Sequence, residues 1–217
     1  MRSILQETLA SIALAAEILE SSQLEPQQNR KVQQIIQAVD KLRSLTDDLL
    51  IMAKAESDKL NLNLESVNLC QLATEVIKDF QLIAENKGIE LVTCLPESQT
   101  QSYLDPNLFR RVLANLIANA LKFSPRNSIV TLEIDYSLSR DIETQIRIRD
   151  RGFGVSHELR KSIFNKFEIG KNINNIAQTG IGLAFCKMIV EAHQGEIFVE
   201  DNQPQGAVFI INLFRQN

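Results

Sequence analysis

What this 217-residue chain lacks narrows its chemistry before anything it contains. It has no tryptophan and only two histidines, and 23 Lys and Arg stand against 27 Asp and Glu, a net charge of −4. That balance argues against a nucleic-acid binder, which would carry a general basic surface. The three cysteines, Cys70, Cys94 and Cys186, are odd in number and not in CxxC spacing. Neither a disulfide framework nor a zinc site is indicated, and a reducing cytoplasm is the compartment that fits. No run of about 18 apolar residues occurs, and no basic region leads into a short apolar core at the N-terminus. This segment is therefore expected to make no membrane contact, and any sensor or membrane segment is expected to lie outside it. There is no internal repeat and no GxxxxGK phosphate loop.

What remains is an ordinary globular composition, 44% hydrophobic, on a chain long enough for two small cores. Leu5, Leu9, Ile12, Ala16 and Leu19 recur at steps of four and three, the seam of a helix that packs on other helices. Ser21 to Pro26 breaks the pattern, and a second long helix carries Val32, Ile35, Val39, Leu42, Leu45 or Thr46, Leu49 and Met52 along one stripe. A two-helix hairpin cannot surround its own apolar stripe, so a homodimer closed as a four-helix bundle is expected.

At Leu60-Asn61-Leu62-Asn63-Leu64 the period changes to strict alternation, which predicts a strand. The boundary falls near Ser57 to Lys59, giving a hairpin domain over 1–58 and a second domain over 59–217. In that domain the pattern predicts helices over Cys70–Asn86, Asp105–Phe123, Ser156–Lys166 and Gly182–Ala192. Strands are predicted over Ile89–Leu95, Gln101–Leu104, Val130–Tyr136, Glu143–Arg149, Glu196–Glu200 and Ala207–Leu213. Without a βαβ rhythm, the order implies an α+β sandwich, a mixed or mostly antiparallel sheet with helices on one face.

Three groups of residues carry chemistry. Asn115 and Asn119, four apart on a helix, present two amides on one face, and an amide oxygen is a hard ligand suited to Mg²⁺. Lys122, a turn further on, can meet a phosphate; the alternative is a pair of polar residues on a buried helix. Asp150-Arg151-Gly152-Phe153-Gly154 follows a strand; its glycines admit close approach of a ligand, and Asp150 can accept from an amino group such as that of adenine, or the motif is simply a tight turn. Gly180-Ile181-Gly182-Leu183 opens a helix, whose free amides and dipole favour phosphate. Phe185 at the third position rules out a dinucleotide fingerprint. Upstream, Glu168 to Thr179 has the composition of a mobile lid or of a disordered loop.

In this order the motifs resemble those of the sensor histidine kinases, over nearly the whole chain. Asn115 to Phe123 is similar to that family's asparagine box, Asp150-x-Gly152-x-Gly154 to its first glycine motif, Ile163 to Phe167 with Phe164 to its phenylalanine motif, Gly180-x-Gly182-Leu183 to its second glycine motif, and Gly206 to Phe209 to its closing strand. The resemblance implies a Bergerat-type nucleotide domain binding ATP and Mg²⁺. It would place Mg²⁺ on Asn119 with Asn115 beside it, phosphate on Lys122, adenine on Asp150, and the phosphates against Gly180, Ile181, Gly182 and Leu183. It also implies a response regulator or a partner histidine kinase as the other protein.

One position departs from the family. A gap-free match anchored on Leu9 to Ile12 and Ala16 to Leu19 puts Ser3 where the phosphoacceptor histidine is expected, with Ile4, Gln6 and Thr8 in place of the acidic, the basic or amide, and the proline neighbours. A serine hydroxyl needs an adjacent base to become a good nucleophile, and Ile4 offers none. His157 reads as a surface residue and His193 as a helix C-terminal cap or dipole partner. Two functions follow: a kinase core that transfers the γ-phosphoryl to a protein acceptor, or a degenerate kinase that binds ATP and regulates a partner as a dimer.

Overall fold

Glu25 and Pro26 decide where the first turn of the chain ends. In the computed structural model, the Glu25 backbone amide donates to Gln28 Oε1 (3.1 Å), half of a capping box, and Pro26 supplies the helical φ of the next position. The structure describes residues 2–22, 24–57, 59–97, 100–136, 141–168 and 180–215, with only the backbone at positions 2, 3 and 5. The chain divides into two compact units, Met1–Leu60 and Asn61–Asn217.

The first unit is a helical hairpin of α1 (Arg2–Glu20) and α2 (Pro26–Glu56). Hydrogen bonds from Gln6 to Asp47 (3.3 Å) and from Gln33 to Glu20 tie the two ends and fix the pair as antiparallel. The expected seam separates into two rows on each helix. Leu9 and Ala16 of α1 and Val32, Val39 and Met52 of α2 are buried within the hairpin. Ile12 and Leu19, and Ile35, Leu42 and Leu49, repeat at seven-residue spacing but stay 41–52% exposed. The hairpin leaves one apolar row of each helix uncovered.

The second unit builds a five-stranded mixed sheet in the order β2-β4-β5-β7-β6, from β2 (Glu90–Cys94), β4 (Ile129–Tyr136), β5 (Ile142–Arg149), β6 (Glu196–Asp201) and β7 (Ala207–Phe214). Only β2 and β4 run parallel. A separate antiparallel pair joins β1 (Glu65–Asn68) to β3 (Gln101–Leu104). Helices α3 (Leu69–Lys87), α4 (Pro106–Phe123) and α5 (Gly182–Ala192) supply the rest of the core. The strands show why one face is covered: along β4, Val130, Leu132 and Ile134 are buried, whereas Glu133 and Asp135 ion-pair with Arg147 on the other face.

Asp105 starts α4 by accepting from the amides of Asn107 (3.1 Å) and Leu108 (3.0 Å) on one oxygen, with Pro106 next. Such a cap contributes about 1 kcal/mol. The helix also buries Phe109, Val112, Leu113, Leu116, Ile117 and Leu121, each contributing about 1.5–3 kcal/mol. The apolar face therefore holds α4 in place, and the cap fixes where it begins.

Two expected elements are absent. Leu60 to Leu64 forms no strand, although the leucines are half-buried and the intervening asparagines exposed; the ladder begins only at Glu65. Alternation reports alternating burial, not a paired backbone, and the Asn63 amide donates to Asp105 Oδ2 (3.0 Å) instead of to a strand. The helix predicted over Ser156–Lys166 is a series of turns ending in a short 3₁₀ turn, Ser162–Phe164. Its bonds from Leu159 to Ser156 and from Asn165 to Ser162 span three residues, a single bond from Ile163 to Leu159 spans four, and only Phe164 of the 3₁₀ turn is anchored in the core. Among the described residues no helix is long and apolar enough to cross a membrane.

Candidate nucleotide-binding site

The asparagine-bearing helix touches both glycine motifs. At its middle, Asn115 Oδ1 lies 3.1 Å from where a Cβ on Gly182, the first residue of α5, would stand. At its end, the carbonyl of Phe123 lies 3.0 Å from the corresponding point on Gly152, the Arg151 amide donates to Ser124 Oγ (3.3 Å), and Phe123 meets Phe153 edge-on at 5.4 Å. Asn115, Asn119 and Lys122 line the half-exposed flank of α4. Neither asparagine side chain has a hydrogen-bond partner among the described residues. The Lys122 ammonium sits 5.1 Å from the Phe123 ring centre.

α5 begins without a side-chain cap; Ile181, buried, occupies the cap position, and the amides of Gly182, Leu183 and Ala184 find no acceptor among the described residues. These amides and the helix dipole make an anion-seeking end. The approach to it is strained. Phe167 and Gly180 both adopt left-handed conformations (φ 62° and 63°), joined by a bond from the Phe167 amide to the Gly180 carbonyl (2.9 Å). A Cβ at Gly180 would lie 2.6 Å from the Phe167 carbonyl carbon, so no other residue fits there. The expected lid falls mainly on 169–179 and lies outside the described residues.

Asp150 follows β5 and is only 4% exposed. Its Oδ1 accepts from the amides of Gly152 (2.8 Å) and Ala207 (3.1 Å), while Oδ2 accepts nothing among the described residues. Burial pushes the carboxyl up from its ordinary range, against the lowering effect of those two amides. Gly154 faces the Gly206 carbonyl, and Gly206 (φ 117°) admits no side chain: a Cβ would lie 2.0 Å from the Asp150 carbonyl oxygen.

Phe164 of the phenylalanine motif is buried, edge-on to Phe209 at 6.4 Å, whereas Phe167 is the exposed aromatic of that motif. Ser3 lies in α1 on a described backbone only. His157 is exposed in a turn. His193 is buried at the end of α5, its Nδ1 donating to the Ile189 carbonyl (2.7 Å) and its Nε2 accepting from the Asp105 amide (2.9 Å). It is a cap that works as a neutral ring, since burial lowers its proton affinity. Sequence reasoning missed one contributor, Asn202, which donates through Nδ2 to the Asp150 carbonyl (2.7 Å) and which no local pattern marks. His193 is the cap of α5 that its position suggested, and the added feature is its link to the start of α4.

The unpartnered asparagines of α4, the uncapped start of α5 and Asp150 all lie within the one segment that a nucleotide-binding family covers. Residues 104–217 match the family described as "Histidine kinase-, DNA gyrase B-, and HSP90-like ATPase", and the chain belongs to it. It carries the catalytic core of a sensor histidine kinase. The Adaptive-response sensory kinase SasA of Thermosynechococcus vestitus is 30% identical over 217 residues, covering 96% of this chain and 57% of that protein. Sensor histidine kinase WalK of Bacillus subtilis is 28% identical over 80% of this chain and 28% of its own length. Full-length ShkA in complex with AMPPNP superposes with a TM-score of 0.78 at 25% identity, over 99% of this chain and 45% of that one. Acinetobacter baumannii histidine kinase AdeS shares the fold, with a TM-score of 0.69 at 23% identity over 99% and 95% of the two chains. The chain spans little more than half the length of the SasA proteins it matches.

Proposed function

We propose that the chain binds Mg-ATP between α4, α5 and the Asp150 turn and transfers the γ-phosphoryl to a protein acceptor in a cytoplasmic two-component pathway. The observation that carries this reading is the position of α4. Asn115 and Phe123 are eight residues apart, about 12 Å along the axis, and abut the second and the first glycine motif respectively. A nucleoside triphosphate lying along that flank reaches both. The idle Oδ2 of Asp150 is a buried acceptor that an adenine amino group satisfies; left alone, such a group costs about 1–3 kcal/mol. The amides of Gly182 and Leu183, with Gly180 and Ile181 shaping the turn before them, receive phosphate oxygens. The free amide oxygens fit Asn119 as an Mg²⁺ ligand with Asn115 beside it, and Lys122 adds a positive charge at the phosphates. Phe164 supports the site from the core.

Bound ATP supplies the phosphoryl group, with ADP as the leaving product. The protein positions it and neutralises charge. Residues 1–58 form the dimerisation hairpin and 59–217 the nucleotide domain. The exposed rows on α1 and α2 meet those of a second copy in a four-helix bundle, and a response regulator or a second histidine kinase is the partner.

A second reading rests on Ser3. With serine at the acceptor position and an exposed Ile4 beside it, the chain can serve as an ATP-binding dimeric regulator that transfers nothing. Incubation with γ-labelled ATP, alone and with a histidine-bearing hairpin from a relative, separates the two. Acid-labile label on the added hairpin supports trans-phosphorylation, and acid-stable label at Ser3 supports a serine ester. Tight ATP binding with no label in either arm sinks the kinase reading and leaves the regulator.

A further inference from the structure

The turn between β6 and β7 closes on the Asp150 motif. Two contacts make the closure and two shape the turn itself. Asn202 Nδ2 donates to the Asp150 carbonyl (2.7 Å), Asn202 Oδ1 accepts from the Gln203 amide (3.0 Å), the Asn202 amide donates to the Gly206 carbonyl (3.0 Å), and Arg151 Nη1 donates to the Gln203 carbonyl. Asn202 is 9% exposed, with its amide oxygen and amide nitrogen both engaged. It therefore holds the turn's own shape with one atom and the peptide plane after Asp150 with another.

That plane decides where the idle oxygen points. Asp150 Oδ1 is fixed by the amides of Gly152 and Ala207, which lie on the two chain segments that Asn202 joins. If the 150–151 peptide rotates, the Gly152 amide moves, the carboxylate turns with it, and Oδ2 leaves its line. We propose that Asn202 is a positioning residue for nucleobase selectivity: it aims Asp150 Oδ2 at the 6-amino group of a purine without touching the ligand. This rests on the reading of Asp150 as the adenine partner. It extends that reading to a residue 52 positions away that no motif includes.

Selectivity is the measurement that separates aim from mere stability. The dissociation constants of ATP and of inosine triphosphate, which carries oxygen in place of the 6-amino group, are measured on the full 217-residue chain by calorimetric titration. Their ratio is independent of how much of a preparation is folded. Asn202→Asp keeps the size and the acceptor but removes the donor; Asn202→Ala removes both. In both variants the preference for ATP is expected to fall by about tenfold, through weaker ATP binding with little change for inosine triphosphate. An ATP-to-inosine triphosphate ratio that stays at the parent's value in either variant, whatever happens to the melting temperature, overturns the proposal alone. A wild-type ratio near one removes the adenine reading of Asp150 and the proposal with it.

Discussion

Asp150 and Ala207, 57 positions apart, exchange two hydrogen bonds: the Asp150 amide donates to the Ala207 carbonyl (2.9 Å), and the Ala207 amide donates to Asp150 Oδ1 (3.1 Å). The pairing of β5 and β7 is thereby extended by one side chain beyond the ladder. A single carboxylate then has one oxygen in the framework and one without a partner among the described residues.

The two oxygens can be separated by Asp150→Asn. Burial holds the carboxyl above its ordinary value of 3.8, so the folded protein binds that proton more tightly than the unfolded chain does. The group's contribution to stability is largest below that ordinary value and declines as the pH rises through the folded value. At neutral pH the buried carboxylate is a cost. An asparagine can keep the amide bonds on its oxygen and carries no charge. The variant is expected to melt at a higher temperature at pH 7 and to bind ATP at least about tenfold more weakly. Equal ATP affinity in the two proteins would remove Asp150 from the site.

Gly206→Ala places a methyl group 2.0 Å from the Asp150 carbonyl oxygen at a φ of 117°. Overpacking and backbone strain add there, and a loss of at least about 2 kcal/mol is expected. Chemical denaturation measures it; a variant as stable as the parent would contradict the fixed position of this turn.

His193 is expected to make the second unit acid-sensitive. Burial lowers its proton affinity, and its neutral Nε2 accepts the Asp105 amide beside the edge of Phe109. The stability it contributes is present above its ordinary value of 6.5 and is lost as the pH falls through the lower folded value. Between pH 7.5 and pH 5 the melting temperature of the parent is expected to fall more steeply than that of His193→Gln. Parallel slopes would assign the acid loss to other groups.

Much of this was legible in the sequence, for a physical reason. Asn115 to Phe123, Asp150 to Gly154 and Gly180 to Leu183 have unusual compositions because each brings backbone or amide groups to one place. The mixed sheet was legible because strands and helices follow one another without a βαβ rhythm. The sequence misled where one pattern has two causes. Leu60, Leu62 and Leu64 alternate in burial without a ladder, and the 156–166 stretch has no continuous apolar stripe to hold a helix. Asn202 was illegible because its partner is distant along the chain and its own neighbours spell only a turn.

The hairpin offers its own test. Ile35 and Leu42 lie one heptad apart on the uncovered row of α2, so Ile35→Glu with Leu42→Glu puts charges where a second copy is expected to pack. The dimer dissociation constant is expected to rise at least roughly a hundredfold, read by sedimentation equilibrium. A parent that sediments as a monomer at high concentration would remove the four-helix bundle.

Phe167 and Gly180 meet through one backbone bond, each in a left-handed conformation. The two are thus pinned to each other by backbone alone, a clamp that a side-chain substitution at Phe167 leaves in place and that any side chain at Gly180 would force open, since its Cβ would stand 2.6 Å from the Phe167 carbonyl carbon.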